Sequence, residues 1–442
     1  MNGLERTREL LDYIEDGVSP FHVIMNTESY LIGAGFTKLV EQEHWNLVPG
    51  GKYFVTRNDS SLIAFAVPRE DYHGFQIIAG HCDSPTFKIK EMPEINSTGL
   101  TRLNVERYGG MIVSTWFDRP LSVAGRVLVR DERGVHSLLY QADRDLVMIP
   151  NLAIHMNRDV NEGHKYDIQK ELMPIFGAQE SSLKKYIAGE IGVRKEDILG
   201  MDLSLYNRDS GSIWGAESQF CSAPRLDDLQ CVYGALQGFL EAMEEWDSFD
   251  GRTSENIPVY AVFDNEEVGS TTKQGAESTL LFDTLTRINA CMGRNAEEYC
   301  MSIADSFMIS ADNAHGIHPN YPEKADCANY PVLNGGIVIK YNANQKYTTD
   351  AVSAAVLRKI CIDELIPVQS FANNSNIAGG STLGNISNTQ VSLNTVDIGL
   401  AQWAMHSAYE TAGTEDTEYL VRMSKAFYES TIVRNEEGYS IR

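Results

Sequence analysis

Paired cysteines, long apolar runs and positive charge are what this 442-residue sequence has least of. Its seven cysteines are an odd number, and no two form a CxxC pair. That excludes a disulfide framework and a cysteine zinc site, and points to a reducing compartment, with the cytoplasm as the expected location. No stretch approaches the ~18 consecutive apolar residues of a membrane helix, so no membrane contact is expected. The stretch MNGLERTRELLDYIEDG carries charges where a signal peptide has its apolar centre. It reads instead as an amphipathic helix with Leu4, Leu10, Leu11 and Ile14 on one face. Lysine and arginine total 37 against 61 aspartates and glutamates, a formal net charge of −24. Such a surface repels phosphate backbones, which excludes nucleic acid as a partner; it also favours solubility and attracts divalent cations.

Repeats, low-complexity tracts and Pro/Ser-rich linkers are absent as well. What is present is the composition of an ordinary globular protein, 43% hydrophobic and 22% charged, at a length that suits roughly two to three domains. SLIAFAV, FQIIAG and IPVYAVFD are short apolar runs between polar or glycine residues, as buried strands are. FMISAD, GGIVIKY and VSLNTVDIG read the same way. Between them, Leu229, Val232, Leu236 and Leu240 follow helical spacing behind two aspartates, where a helix dipole favours negative charge. DAVSAAVLRKICIDEL and HSAYETAG to YLVRMSKAFYES read as further helices. This interleaving predicts an α/β fold with a mixed or parallel sheet. From Met92 to Gln219 the runs shorten and alternate (AGRVLVR, VHSLLY), which predicts a second, β-rich domain inserted between residues 1–91 and 220–442.

Residues able to do chemistry recur just past these strands. His81 and Asp83 follow FQIIAG; two apart in an extended segment, they face one side, an imidazole for a metal and a carboxylate to support it. Asp227 heads its helix, where a plain helix cap would also be an aspartate. Glu266 and Glu267 follow IPVYAVFD; adjacent carboxylates repel, so the pair is solvated, metal-bound or sharing a proton. Asp312 follows FMISA, with His315 and His318 near it, and His406 follows VDIG at the expected start of the last helix. In open α/β sheets the ligand crevice lies at the strands' carboxyl ends, so residues this far apart in sequence can converge.

The motifs GHCDSP, TWFDRPLSVAGRV, IPNLAIHMNR, PRLDDL, DNEEVGS, SADNAHGIHPNY, NANQKY and AMHS, in that order, closely resemble the aspartyl aminopeptidase family of co-catalytic zinc exopeptidases. The resemblance spans nearly the whole chain, from SPFHV to the C-terminal helix. It implies two zinc ions per subunit, replaceable by Mn²⁺ or Co²⁺, one bound by His81 and Asp312, the other by Glu267 and His406, with Asp227 bridging. It further implies that Glu266 is the general base of a metal-activated water and that Asp83 orients His81. His315, Lys340 and Tyr347 match substrate-pocket positions, and His155 matches a residue that reaches a neighbouring subunit's site. The implied substrates are peptides with a free N-terminus, acidic in many members and neutral in others; Lys340 could pair with an acidic side chain. The implied architecture is a mixed-sheet catalytic domain with an inserted dimerisation domain, dimers assembling into a tetrahedral dodecamer.

The sequence departs from the family where a YGGG run is usual, having Tyr108-Gly109-Gly110-Met111. It also departs where GGSTIGP is common, having Gly379-Gly380-Ser381-Thr382-Leu383-Gly384-Asn385. Other readings are another two-metal amide hydrolase, a glycosidase using two carboxylates, and a catalytically silent assembly protein. The adjacency of Glu266 and Glu267 opposes the glycosidase, whose carboxylates flank the substrate. A missing ligand would mark the silent protein, and every position is filled.

Overall fold

Runs such as SLIAFA and FQIIAG are apolar on successive residues, so strands built from them need cover on both faces. The computed structural model, which describes residues 2–246 and 254–442, places them inside a nine-stranded mixed sheet. Its strands run in the order Thr37–Leu39, Lys52–Arg57, Ser61–Ala66, Ile257–Phe263, Phe75–His81, Phe307–Ala311, Asn394–Gly399, Ile337–Tyr341 and Val368–Ala372. Ile257–Phe263, Phe75–His81, Phe307–Ala311 and Asn394–Gly399 are neighbours and parallel. Phe263 stands opposite His81, and Ala311 opposite Ile398, so these strands end along one edge. On one face Ile78, Tyr260, Val262 and Ile309 pack beneath the helices Leu226–Trp246, Ala351–Asp363 and Asp416–Glu429. On the other, Ile77, Val259, Ala261 and Met308 pack with the helix Leu280–Cys291. Both faces are dry, which is why these strands do not alternate.

The alternating runs form a separate, wholly antiparallel sheet of six strands. Its order is Gly134–Gln141, Leu121–Asp131, Ile198–Asn207, Thr86–Ser97, Leu100–Tyr108 and Ile175–Ala178. Phe87, Leu103, Val105, Val123, Val127 and Leu205 make its core together with Leu183 and Ile187 of the helix Leu183–Ile191. The sheet begins at Thr86, ahead of Met92, and ends at Asn207, ahead of Gln219. Ser212–Trp214 and Phe220–Ala223 belong instead to a five-stranded sheet with Glu410–Gly413, Ala401–Trp403 and Ala314–His315.

Three local expectations change. The helix Gly3–Asp16 buries Arg6, Thr7, Leu10, Tyr13 and Ile14, leaving Leu4 and Leu11 half-buried. Arg6 turns inward because it pairs with Glu418 at 3.0 Å and Glu241 at 2.6 Å. His406 does not start the last helix, which begins at Asp416. It sits at φ +68 in the turn between the strands Ala401–Trp403 and Glu410–Gly413, where sheet pairing takes the backbone bonds a helix would need. Asp227 heads the helix Leu226–Trp246 in a non-helical conformation (φ −84, ψ 109), and its carboxylate meets His406 rather than a helix amide.

Candidate metal centre

The parallel strands bring their following residues to one edge, and the turn at His406 adds a side chain from the five-stranded sheet. One ligand atom each of His81, Asp227 and Asp312 lie within 4.8 Å of one another, and so do those of Asp227, Glu267 and His406. Asp227 is common to both groups. His81 Nε2 stands 3.7 Å from Asp227 Oδ1, while His406 Nε2 stands 3.3 Å from Asp227 Oδ2 and 3.4 Å from Glu267 Oε1. The two oxygens of Asp227 thus face different histidines.

The surroundings fit a cation. Asp83, Asp227, Asp228, Glu266, Glu267, Asp312 and Glu410 crowd together with His81, His406 and Lys340 as the nearby positive groups. Burial pushes the Glu266 carboxyl up to about 8; His81 opposes this, and Asp312, Asp83 and Asp227 add to it. Burial likewise holds Glu267 well above the usual carboxylate range, with Asp227 adding to the effect. Burial acts to lower the His406 imidazole, yet its hydrogen bond to Asp227 and the charge of Glu267 lift it to about 10. Protons on these groups supply positive charge that bound cations would otherwise supply. Asp227 Oδ1 and Glu267 Oε1 are also buried without a hydrogen-bond partner, an arrangement costly for oxygens that are not ligands. Imidazole and carboxylate donors suit zinc.

Supporting contacts hold this set. His81 Nδ1 donates to the backbone carbonyl of Asp83 at 3.0 Å, closer than the Asp83 carboxylate at 3.4 Å. The Asp83 carboxylate accepts from the backbone amides of Glu266 and Glu267, both at 3.1 Å, and from the Tyr108 hydroxyl at 2.6 Å. Asp83 therefore fixes the glutamate pair as well as His81. Asp228, read from the sequence only as a helix-start aspartate, accepts from the His81 amide at 3.2 Å. Glu410, which sequence reasoning missed, accepts from the amides of Asp227 at 2.9 Å and His406 at 2.6 Å. Only the PRLDDL motif hinted at Asp228. Nothing local marks Glu410, whose role depends on the turn from His406.

Lys340, buried, lies 3.5 Å from Asp312 Oδ2 with its ammonium 5.5 Å from the centre of the Tyr347 ring. The rings of His315 and Tyr347 both pack against Phe371, at 6.0 and 6.3 Å. These residues therefore form one cluster beside Asp312. His155 is exposed on the turn Ile154–Met156, and among the described contacts none joins it to the cluster.

Known proteins resemble this chain over nearly its whole length. The family model for the Aminopeptidase I zinc metalloprotease (M18) matches residues 13–428. A probable M18 family aminopeptidase 2 of Clostridium acetobutylicum is 46% identical over 438 residues, covering 97% of this chain and 99% of the relative. Among solved structures, one of the Ape4 and Nbr1 complex superposes with a TM-score of 0.92 at 34% identity, covering 97% of this chain and 86% of that one. The S. cerevisiae mApe1 dodecamer gives 0.84 at 26% identity, covering 96% of each chain. A histidine and carboxylate cluster at the strand ends, and matches over nearly the full length, carry one conclusion: the chain belongs to the M18 family of zinc metallo-aminopeptidases.

Proposed function

We propose that the protein removes unblocked N-terminal residues, acidic ones by preference, from peptides at a site for two zinc ions. The observation that carries this reading is the pair of ligand groups sharing Asp227. His81 and Asp312 would hold one ion, Glu267 and His406 the other, and Asp227 both. Bound there, zinc supplies Lewis acidity, acidifying water and drawing charge from the scissile carbonyl.

The protein's own part follows from where its groups stand. Glu266 is held by its amide on Asp83, which fixes a carboxylate beside the proposed ligands as a general base requires. Glu266 takes a proton from water and delivers it to the departing amine. Glu267, its backbone fixed beside it, keeps its carboxylate toward His406 and acts as a ligand. Lys340, Tyr347 and His315 offer a cation and aromatic walls beside Asp312, which suits a substrate carboxylate. A neutral preference is the second reading, favoured by the ion pair of Lys340 with Asp312 at 3.5 Å, which already engages the lysine.

The inserted segment expected at residues 92–219, whose separate sheet runs from Thr86 to Asn207, is proposed as a dimerisation domain. The dodecameric state of the related mApe1 supports a homo-oligomer, proposed here as a tetrahedral dodecamer built from dimers. Leu152, Ile154 and Met156 expose apolar side chains around His155, as a face that another copy covers would, and His155 would then reach that copy's site.

Reporters with N-terminal Asp, Glu, Leu or Lys, each free and blocked, test the reading with zinc-, manganese- and cobalt-loaded protein. Metal-dependent turnover of the free Asp and Glu reporters is expected. Preference for Leu would replace the acidic assignment, and metal-independent or amine-independent turnover would overturn the aminopeptidase mechanism.

A further inference from the structure

The strand Leu100–Tyr108 belongs to the six-stranded sheet, yet the residues that follow it run against the metal centre. The Tyr108 hydroxyl donates to Asp83 Oδ2 at 2.6 Å and accepts from Asn265 Nδ2 at 2.8 Å. Gly109 turns the chain at φ +73 so close to Glu267 that an added Cβ would stand 3.1 Å from the glutamate's own Cβ. The carbonyl of Gly110 accepts from His406 Nδ1, and the amide of Ile112 donates to the His406 carbonyl at 2.9 Å. Thr115 Oγ1 then accepts from the Ala408 amide at 2.9 Å. Met111, in the middle, packs against the core of the six-stranded sheet.

Each contact has a definite consequence. A carbonyl can only accept, so Gly110 fixes the proton of His406 on Nδ1 and leaves Nε2 facing Asp227 and Glu267 as the metal-binding nitrogen. The phenol places a third donor on the Asp83 carboxylate that also holds the amides of Glu266 and Glu267. We infer that residues 108–112 are a positioning strap through which the six-stranded sheet sets the tautomer of His406 and the seating of Glu266 and Glu267. Tyr108 is a positioning residue acting through Asp83, and Met111 is the anchor that holds the strap to its own sheet. This inference rests on the two-zinc reading above.

The test uses full-length, zinc-loaded protein, with zinc affinities measured by competition against a chromophoric chelator alongside kcat and KM. Tyr108→Phe is expected to lower kcat about tenfold or more, within the ~10–100-fold typical of partners that orient ligands, with KM nearly unchanged. Met111→Gly removes the side chain packed on the core of the six-stranded sheet and is expected to weaken one zinc affinity by a similar ~10–100-fold while the other is kept. Wild-type kcat and wild-type zinc affinities in both variants would overturn the strap. Equal weakening of both ions in step with a lowered melting temperature would also overturn it, since that is the mark of a merely structural role. Wild-type protein that bound no zinc would instead sink the two-zinc reading, so the two failures are distinguishable.

Discussion

Replacing Glu266 by glutamine should separate catalysis from metal binding and, in the metal-free protein, raise stability. The substitution keeps the side-chain shape and the amide bond to Asp83 at 3.1 Å, so the ligands stay in place. Loss of a general base costs ~10²–10⁴ in kcat, or about 3–5 kcal/mol of barrier. The stability effect has the opposite sign. In the fold the Glu266 carboxyl moves from its ordinary 4.5 up to about 8, so the folded state keeps a proton that the unfolded chain releases above pH 4.5. Stability is therefore lost as pH rises from 4.5 toward 8, and at pH 7 that loss is ~3 kcal/mol. Glutamine has no such proton to lose. Chelator-treated Glu266→Gln should unfold at higher denaturant than wild type at pH 7, with the gap closing toward pH 4.5. Kinetics on a free aminoacyl reporter, zinc content by elemental analysis, and denaturant midpoints at the two pH values check each part. Near-normal turnover would refute the base assignment, and loss of zinc along with activity would show that Glu266 is a ligand. A metal-free variant no more stable than wild type at pH 7 would refute the picture of crowded carboxylates lacking a cation.

Asp227→Ala should bind neither ion tightly, because both groups of ligand atoms contain Asp227; one fully occupied zinc per chain by elemental analysis would contradict the bridging role. Burial, aided by Arg225, lowers His22 from 6.5 to about 4, so it stays neutral in the fold and stability is lost as pH falls from 6.5 toward 4. His22→Gln should remove ~2 kcal/mol of that loss at pH 5, seen as a flatter dependence of the unfolding midpoint on pH. At Gly399 a Cβ would stand 2.1 Å from the backbone oxygen of Asp312, so Gly399→Ala must push two central strands apart. It should cost ~1–3 kcal/mol and weaken zinc at the His81 and Asp312 side, measured by denaturant midpoint and chelator competition.

Much of the framework around the candidate site was written in local sequence. Continuous apolar runs specify strands with two dry faces, and a polar ligand type placed directly after such a run has little choice but to sit at the strand's end. His81, Glu266, Glu267 and Asp312 were legible for that reason, as was the helix behind Asp227. The alternating runs likewise announced a sheet with a single buried face. What the sequence could not decide were contacts between segments far apart in the chain. Sheet pairing puts His406 in a turn, although its neighbours read as helix. Arg6 is buried because Glu241 and Glu418 come to meet it. Glu410 lies in a short strand with nothing local to mark it, and becomes important only where its carboxylate takes the amides of Asp227 and His406. Tyr108 belongs to the other sheet altogether. Periodicity records which faces of an element are dry, a property of neighbouring residues; the partner of a buried carboxylate or imidazole is set by three-dimensional closure, and only the tertiary structure supplied it.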